Sequence, residues 1–450
     1  MKAKQNVLCA GAVVAGALVV TPLLADKLPK SGEGAKPSTT EAVKESSEPG
    51  QKVAIAPPKP ITEEIRKGLA YLAKVQNKDG GWGQGGGWRL GRKGGGRVNP
   101  AQAEDRSDVG NTCIAMLSIL RFGADLRTGQ YAENLRKGAD FLMTHIEKNG
   151  QDDSLFVTHV RDTQLQSKIG RYVDTFLAAQ MLAELKGMML TPEAEKRRSD
   201  LLDKVIVKIG KHQQDNGAIK GNGGWASVLS QGLCSRGLNA ARLAGAKVTD
   251  EMLEKDANQN AEGIDIDKAT ITAVAGAPSS AGVNLYTQSS KLRGLQENWV
   301  VNKRRRIGLD AVVASQDASQ EQKEAAKQEL KKIDAADKAK NAALGAVEKS
   351  LKDQRFVNGF GNNGGEEFLS YMNLSESLRA KGGKVWADWD KKIGDTINHA
   401  QNEDGSWSGH HCITGRNFCT AGALLTLMAD RAPVPQPEPG DKTAVSKVAK

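Results

Sequence analysis

Three cysteines recur in one setting. Cys113 stands in NTC, Cys234 in GLC and Cys419 in NFC, each two residues after Asn or Gly and near the start of a run with few charges. Just ahead of the last comes HHC, His410 to Cys412. Thiolate and imidazole are both good zinc ligands, and four of them complete a tetrahedral site. Helix starts also favour thiolate, because their unpaired amides point at it. A compact zinc site would draw on Cys113, Cys412, Cys419 and one of His411 or His410, and zinc is therefore the expected cofactor, with His411 entered as the fourth ligand. Two structural readings compete with it. Small thiols pack well at buried helix starts. Of the five cysteines, four would remain after loss of an N-terminal segment holding Cys9, an even number, and Cys412 and Cys419 could close a short disulfide loop. A cysteine nucleophile finds no base and orienting partner in the pattern.

Acids offer a second chemistry. Asp108, Asp174, Glu366 and Glu367, with Asn373, fall in runs that would face an interior, and a pair of them could serve a carboxylate-based hydrolase. Each also has a structural use. Asp108 sits where a helix N-cap belongs, and Glu366 and Glu367 open a helix, where negative charge is favourable.

The elements that would position these groups form a repeat. KGLAYLAKVQ, residues 67–76, puts Leu69, Leu72 and Val75 on one helical face and runs into DGGWG. Glycine ends the helix, and Trp82 can fold back as an apolar plug. A more apolar helix follows, DVGNTCIAMLSILRFG. The outer-then-inner pair recurs, most clearly at the end, where QNEDGSW (401–407) precedes NFCTAGALLTLMAD. Six such pairs fit, with inner helices expected near 109–122, 172–186, 227–244, 283–295, 366–378 and 417–429. Repeated hairpins bury their apolar faces against one another. An open solenoid and a bundle without repeat symmetry are the alternatives to a closed ring.

KGLAYLAKVQNKDGGW and QNEDGSW resemble the repeat of the squalene–hopene cyclase and prenyltransferase superfamily, over residues 60–431. The resemblance implies an all-α fold, an (α/α)6 toroid of six hairpins, in which Gln76, Trp82, Gln401 and Trp407 tie neighbouring units together. The family's chemistry is less visible. The cyclases' Asp-x-Asp-Asp acid motif is missing, and with 4% aromatic residues the supply of rings for stabilising carbocations is thin. The Asp-x-Cys spacing of the zinc prenyltransferases and the thioester motif of the complement-like toroids are missing too.

Both ends read differently from this middle. Lys2 and Lys4 precede an apolar run, Val7 to Val20, and Ala25 stands at a plausible cut. Residues 1–25 are expected to be a signal peptide, giving an exported, periplasmic or extracellular protein; an uncleaved N-terminal anchor is the alternative. Nothing beyond this segment is long and apolar enough to span a membrane. Residues 26–59 and the Pro-rich 432–450 are expected to be disordered, and residues 317–352 to form a charged helical insertion. The formal charge of +10 is spread over 63 basic and 53 acidic residues. Its densest run, KRRR at 303–306, argues weakly for nucleic acid, which is not expected as a partner. The reading that results is a toroid binding an apolar or extended ligand, or a protein partner, in its cavity, without cyclase chemistry. An isoprenoid-handling enzyme and a glycosidase-like toroid are the alternatives.

Overall fold

The computed structural model describes residues 57–88, 97–98, 105–149 and 152–433. The expected signal-peptide segment, nearly all of the expected linker and most of the Pro-rich tail lie outside these residues. Among the described residues the chain is all-α, 63% helical with fourteen α-helices. They are α1 (Glu63–Lys74), α2 (Val109–Arg121), α3 (Ala132–Asn149), α4 (Gln164–Lys168), α5 (Val173–Glu184), α6 (Pro192–His212) and α7 (Val228–Leu243). The second half holds α8 (Asp250–Ala261), α9 (Asn284–Ala314), α10 (Gln320–Ser350), α11 (Gln354–Asn358), α12 (Gly365–Lys381), α13 (Gly383–His399) and α14 (Arg416–Leu427). Two antiparallel ribbons of two-residue strands, Gly87–Trp88 with Arg97–Val98 and Ile264–Asp265 with Thr270–Ile271, decorate the connections.

Two kinds of helix alternate, and composition separates them. α1 is amphipathic: Ile65, Leu69, Tyr71 and Leu72 are buried, while Arg66 and Lys74 stay exposed. Thr62 caps it by accepting from the Ile65 N–H, and Glu63 and Glu64 fill its first turn. α5, by contrast, is buried from Val173 through Ala183, on every face. A helix without a polar face must be surrounded, and the packing supplies this. α2 packs on α5, α5 on α7, α7 on α9, α9 on α12, α12 on α14, and α14 returns to α2. The segments before α1 and after α14 are tied across the same seam. The Lys59 N–H donates to Asp430 at 2.6 Å, and Arg431 donates to the Lys59 carbonyl at 2.6 Å.

The glutamines and tryptophans hold successive units together. Gln76 Nε2 donates to the Gly80 carbonyl within its own turn, at 2.7 Å, and to the Asn134 carbonyl on α3, at 2.9 Å. Gln401 Nε2 does the same to Gly405 and to Glu64 on α1, both at 2.9 Å. Trp82 and Trp407 are fully buried. Their indole N–H groups reach back to the carbonyls of Leu72 and Ile397, ten residues upstream in each case. Each ring lies against a glycine of the following unit: a Cβ on Gly138 would stand 3.1 Å from Trp82, and one on Gly68 2.8 Å from Trp407. The third connector keeps the glutamine, whose Nε2 donates to the Met252 carbonyl at 3.1 Å, but puts Ile219 in place of the ring.

One boundary departs from expectation. The fourth inner helix was expected near 283–295 but continues to Ala314, and α10, from the charged segment, packs along it. Leu309, Val312, Ala326 and Ile333 give this arm a small core of its own. Its basic run is spent locally: Arg305 pairs with Glu329 and Arg306 with Asp334. No helix among the described residues is long and apolar enough to cross a membrane.

Candidate metal centre

α12 opens the site. Gly364 and Gly365 begin the helix in close quarters, so Glu366 and Glu367 in its first turn point inward and are fully buried. The loop ahead of α14 brings His411 and Cys412 against them. Cys412 takes a left-handed backbone, φ +50°, a conformation that non-glycine residues adopt at a cost and that recurs where a side chain must be aimed. One ligand atom each from Glu366, His411 and Cys412 lies within 4.8 Å of the others. That is a carboxylate oxygen, an imidazole nitrogen and a sulfur.

The surroundings sort the polar atoms of this corner. Glu367 is fully engaged. It accepts from the Tyr286 hydroxyl at 2.5 Å, from the Phe360 N–H at 2.9 Å and from the Gly364 N–H at 3.1 Å. Its Oε2 also stands 3.3 Å from His411 Nε2, close enough for an ion pair though not aligned as a hydrogen bond. Glu366 accepts only from the Ile413 N–H, at 3.3 Å through Oε2. Its Oε1 and the His411 Nδ1 are buried without a hydrogen-bond partner, and His411 Nε2 has the Glu367 contact. Buried polar atoms are rarely left so. Two from two residues in one corner mark a place shaped for something further.

Electrostatics point the same way. Burial, with Glu367 adding to it, pushes the Glu366 carboxyl up to about 7. The Cys412 thiol and the Glu367 carboxylate push the His411 imidazole up to about 10. Burial would raise Glu367 as well, but the contacts from His411, Tyr286 and the Phe360 N–H outweigh it and hold this carboxyl below its ordinary range. Metal ligands bind deprotonated and give up their protons on binding. A divalent cation would supply the positive charge that protons otherwise bring to this corner.

Of the four expected ligands, the structure brings His411 and Cys412 together and adds Glu366. Cys113 and Cys419 lie outside that group. α2 and α14 do pack on one another, but both thiols are enclosed within the helix packing. Burial drives both well above the ordinary thiol range, and Cys419 Sγ lies 3.6 Å from the Ile413 carbonyl. Cys234 is buried likewise, and none of the four is in a disulfide. Asp108 caps α2, accepting from the Asn111 N–H at 2.8 Å. Asp174 accepts from the Gly110 N–H at 2.9 Å and from Gln166 at 2.7 Å. Both acids are occupied as helix-end acceptors. Glu366 was legible as an inward candidate, but its place at a helix start suggested the dipole as its role. That this acid meets HHC depends on the contact between α12 and α14, which no local spacing encodes.

No protein-family model matches the chain, and no curated protein matches it. Among solved structures it is similar to one described as a novel alpha-amylase from Clostridium perfringens, at 11% identity and a TM-score of 0.46, covering 82% of this chain and 99% of that one. A likeness at that level says nothing about activity.

Proposed function

We propose that the chain is an exported α/α toroid with a zinc centre at one rim, held by Glu366, His411 and Cys412. The observation that carries this reading is the group itself: three ligand atoms of three kinds within 4.8 Å, with a Glu366 carboxylate oxygen and the His411 Nδ1 lacking hydrogen-bond partners. Mixed sulfur, nitrogen and oxygen donors suit zinc better than magnesium or calcium, which take oxygen. Zinc with three protein ligands keeps a fourth position open for water or a ligand atom and acts there as a Lewis acid. The protein's own part is orientation. Glu367, fixed by Tyr286 and two backbone amides, faces His411 Nε2 and leaves Nδ1 for the ion, an arrangement common behind metal-bound histidines. The circuit of inner helices and the Gln–Trp ties support the toroid, and those ties alone support membership of the cyclase and prenyltransferase superfamily.

The residues inside the circuit include charged side chains that pair with one another, so its interior is not an apolar cavity. Arg236 of α7 bonds Glu376 of α12 at 2.6 Å, across the intervening α9. Arg293 reaches the same carboxylate at 2.9 Å, and Arg121 pairs with Glu184 at 2.5 Å. Equilibrium dialysis against zinc followed by elemental analysis tests the proposal. One zinc per chain is expected, lost in Glu366→Gln and in His411→Ala with an unchanged circular dichroism spectrum. Wild-type protein that retains no zinc contradicts it.

The 3.3 Å approach of His411 to Glu367 favours one second reading, a thiol–imidazole–carboxylate set with Cys412 as nucleophile. Iodoacetamide labelling separates the two. Zinc should protect Cys412 and a chelator should expose it. Labelling that neither of them changes supports the nucleophile.

A further inference from the structure

The loop ahead of α12 reads GFGNNGG, residues 359–365, and its one bulky side chain is left in water. Phe360 is 57% exposed, the most exposed large hydrophobic residue among those described. A lone exposed ring needs no explanation. This one lies against the candidate metal centre. It meets the His411 imidazole at a steep angle, with centroids 5.2 Å and planes 73° apart. It meets the half-buried Trp225 of the α6–α7 connector in the same manner, at 5.1 Å and 76°.

The glycines of the loop close on the edges of the same imidazole. A Cβ on Gly361 would stand 3.1 Å from His411 Cδ2 and 3.2 Å from Nε2. One on Gly364 would overlap Cε1 and stand 2.6 Å from Glu367 Oε2 and 2.9 Å from His411 Nδ1. The loop is tied down at four points. The Phe360 and Gly364 N–H groups donate to Glu367. The Asn363 carbonyl accepts from the His410 N–H at 2.7 Å, and the Asn362 carbonyl from the Tyr371 hydroxyl at 3.2 Å. Glu367 therefore anchors the loop and faces the ring that the loop encloses. On the zinc reading of this corner, we infer that residues 359–365 clamp the His411 imidazole for the ion, with Phe360 and Gly364 as positioning residues. Phe360 limits the swing of the ring. The bare Cα of Gly364 keeps space clear beside Nδ1, the nitrogen left for the ion. Groups that orient a metal-bound histidine are typically worth 10–100-fold in metal affinity.

Phe360→Ala in the full chain provides the test, because deleting an exposed ring should leave the urea unfolding midpoint unchanged. Zinc affinity, read by competition with a chromophoric chelator, is expected to fall about 10–100-fold, and Phe360→Tyr, which keeps the ring, to stay near wild type. Gly364 has φ −95° and ψ 162°, extended backbone that alanine adopts without strain. Gly364→Ala thus acts through its methyl group and should weaken zinc to a similar degree. Loaded with Co²⁺, Phe360→Ala should keep the thiolate band of Cys412 and change the d–d spectrum, which a loss of packing alone would not do. Zinc affinity of Phe360→Ala within about twofold of wild type overturns the inference. A measurement without metal separates this from failure of the zinc reading. In metal-free protein, diethyl pyrocarbonate should modify His411 several-fold faster in Phe360→Ala than in wild type, as read by peptide mass spectrometry. That rise in a protein whose wild type binds no zinc keeps the clamp and rejects the metal centre. Equal rates with zinc bound by wild type reject the clamp and keep the centre.

Discussion

Glu366 and Glu376 stand ten residues apart on α12, about 15 Å along the helix axis. Both are buried, and each has one oxygen without a hydrogen-bond partner. Their surroundings drive them in opposite directions. Burial raises both, but at Glu376 the guanidiniums of Arg236 and Arg293 overrule it and hold the carboxyl below its ordinary range. Glu366 has no guanidinium, and burial carries it up to about 7. A buried acid matched by arginines is a finished piece of structure. A buried acid whose neighbours are an imidazole and a thiol still has room for a cation. Burial alone does not distinguish structure from function here; the identity of the compensating charge does.

The comparison breaks most sharply under amide substitution. Glu376→Gln leaves the buried guanidiniums of Arg236 and Arg293 with Glu297 as their remaining carboxylate and should lower unfolding free energy by about 3 kcal/mol. Glu366→Gln removes an acid that burial already disfavours and should change stability by less than about 1 kcal/mol. Urea unfolding of both variants measures the contrast. Equal losses would remove the distinction between the two ends of α12.

Both acids depend on the circuit remaining closed. Trp407 packs the last connector against α1, so Trp407→Ala should cost about 3–5 kcal/mol, and Trp82→Ala a similar amount. Ile219→Ala, at the connector that lacks the ring, should cost about 2–4 kcal/mol. A loss below about 0.5 kcal/mol at Trp407 would show that the seam is held by other contacts.

Acid titration sharpens the arginine-matched end. Burial opposes the charge on Glu184, but Arg121 outweighs it and holds the carboxyl at about 2, against an ordinary 4.5. A depressed folded value stabilises fully above the ordinary one and loses that contribution as pH falls from about 4.5 toward 2, on the order of 3 kcal/mol in total. Thermal midpoints recorded over that window should fall more steeply for wild type than for Glu184→Gln. Parallel curves would mean that the pair contributes nothing.

The sequence carried more of the fold than of the site. Inner helices expected at 109–122, 172–186 and 227–244 are found at Val109–Arg121, Val173–Glu184 and Val228–Leu243. Runs with few charges and sharp glycine or N-cap boundaries announce themselves. α9 was expected to end near residue 295 and extends through KRRR to Ala314. It continues as helix because α10 lies alongside and supplies Glu329 and Asp334 to the arginines. The site followed the same rule. HHC was visible as a ligand cluster, and Cys113 and Cys419 seemed natural companions because their settings repeat. Those repeated settings place them inside the helix packing. Glu366, the actual neighbour, shares no motif with HHC and reaches it through a contact formed only when α12 and α14 pack.

Cobalt substitution tests the metal centre most directly, because a cobalt–thiolate bond has its own charge-transfer absorption. Wild-type protein loaded with one equivalent of Co²⁺ should show that band. It should vanish in Cys412→Ser and persist unchanged in Cys113→Ser and Cys419→Ser. A band that survives Cys412→Ser, or no band in wild type, contradicts the assignment of Glu366, His411 and Cys412 as a metal centre.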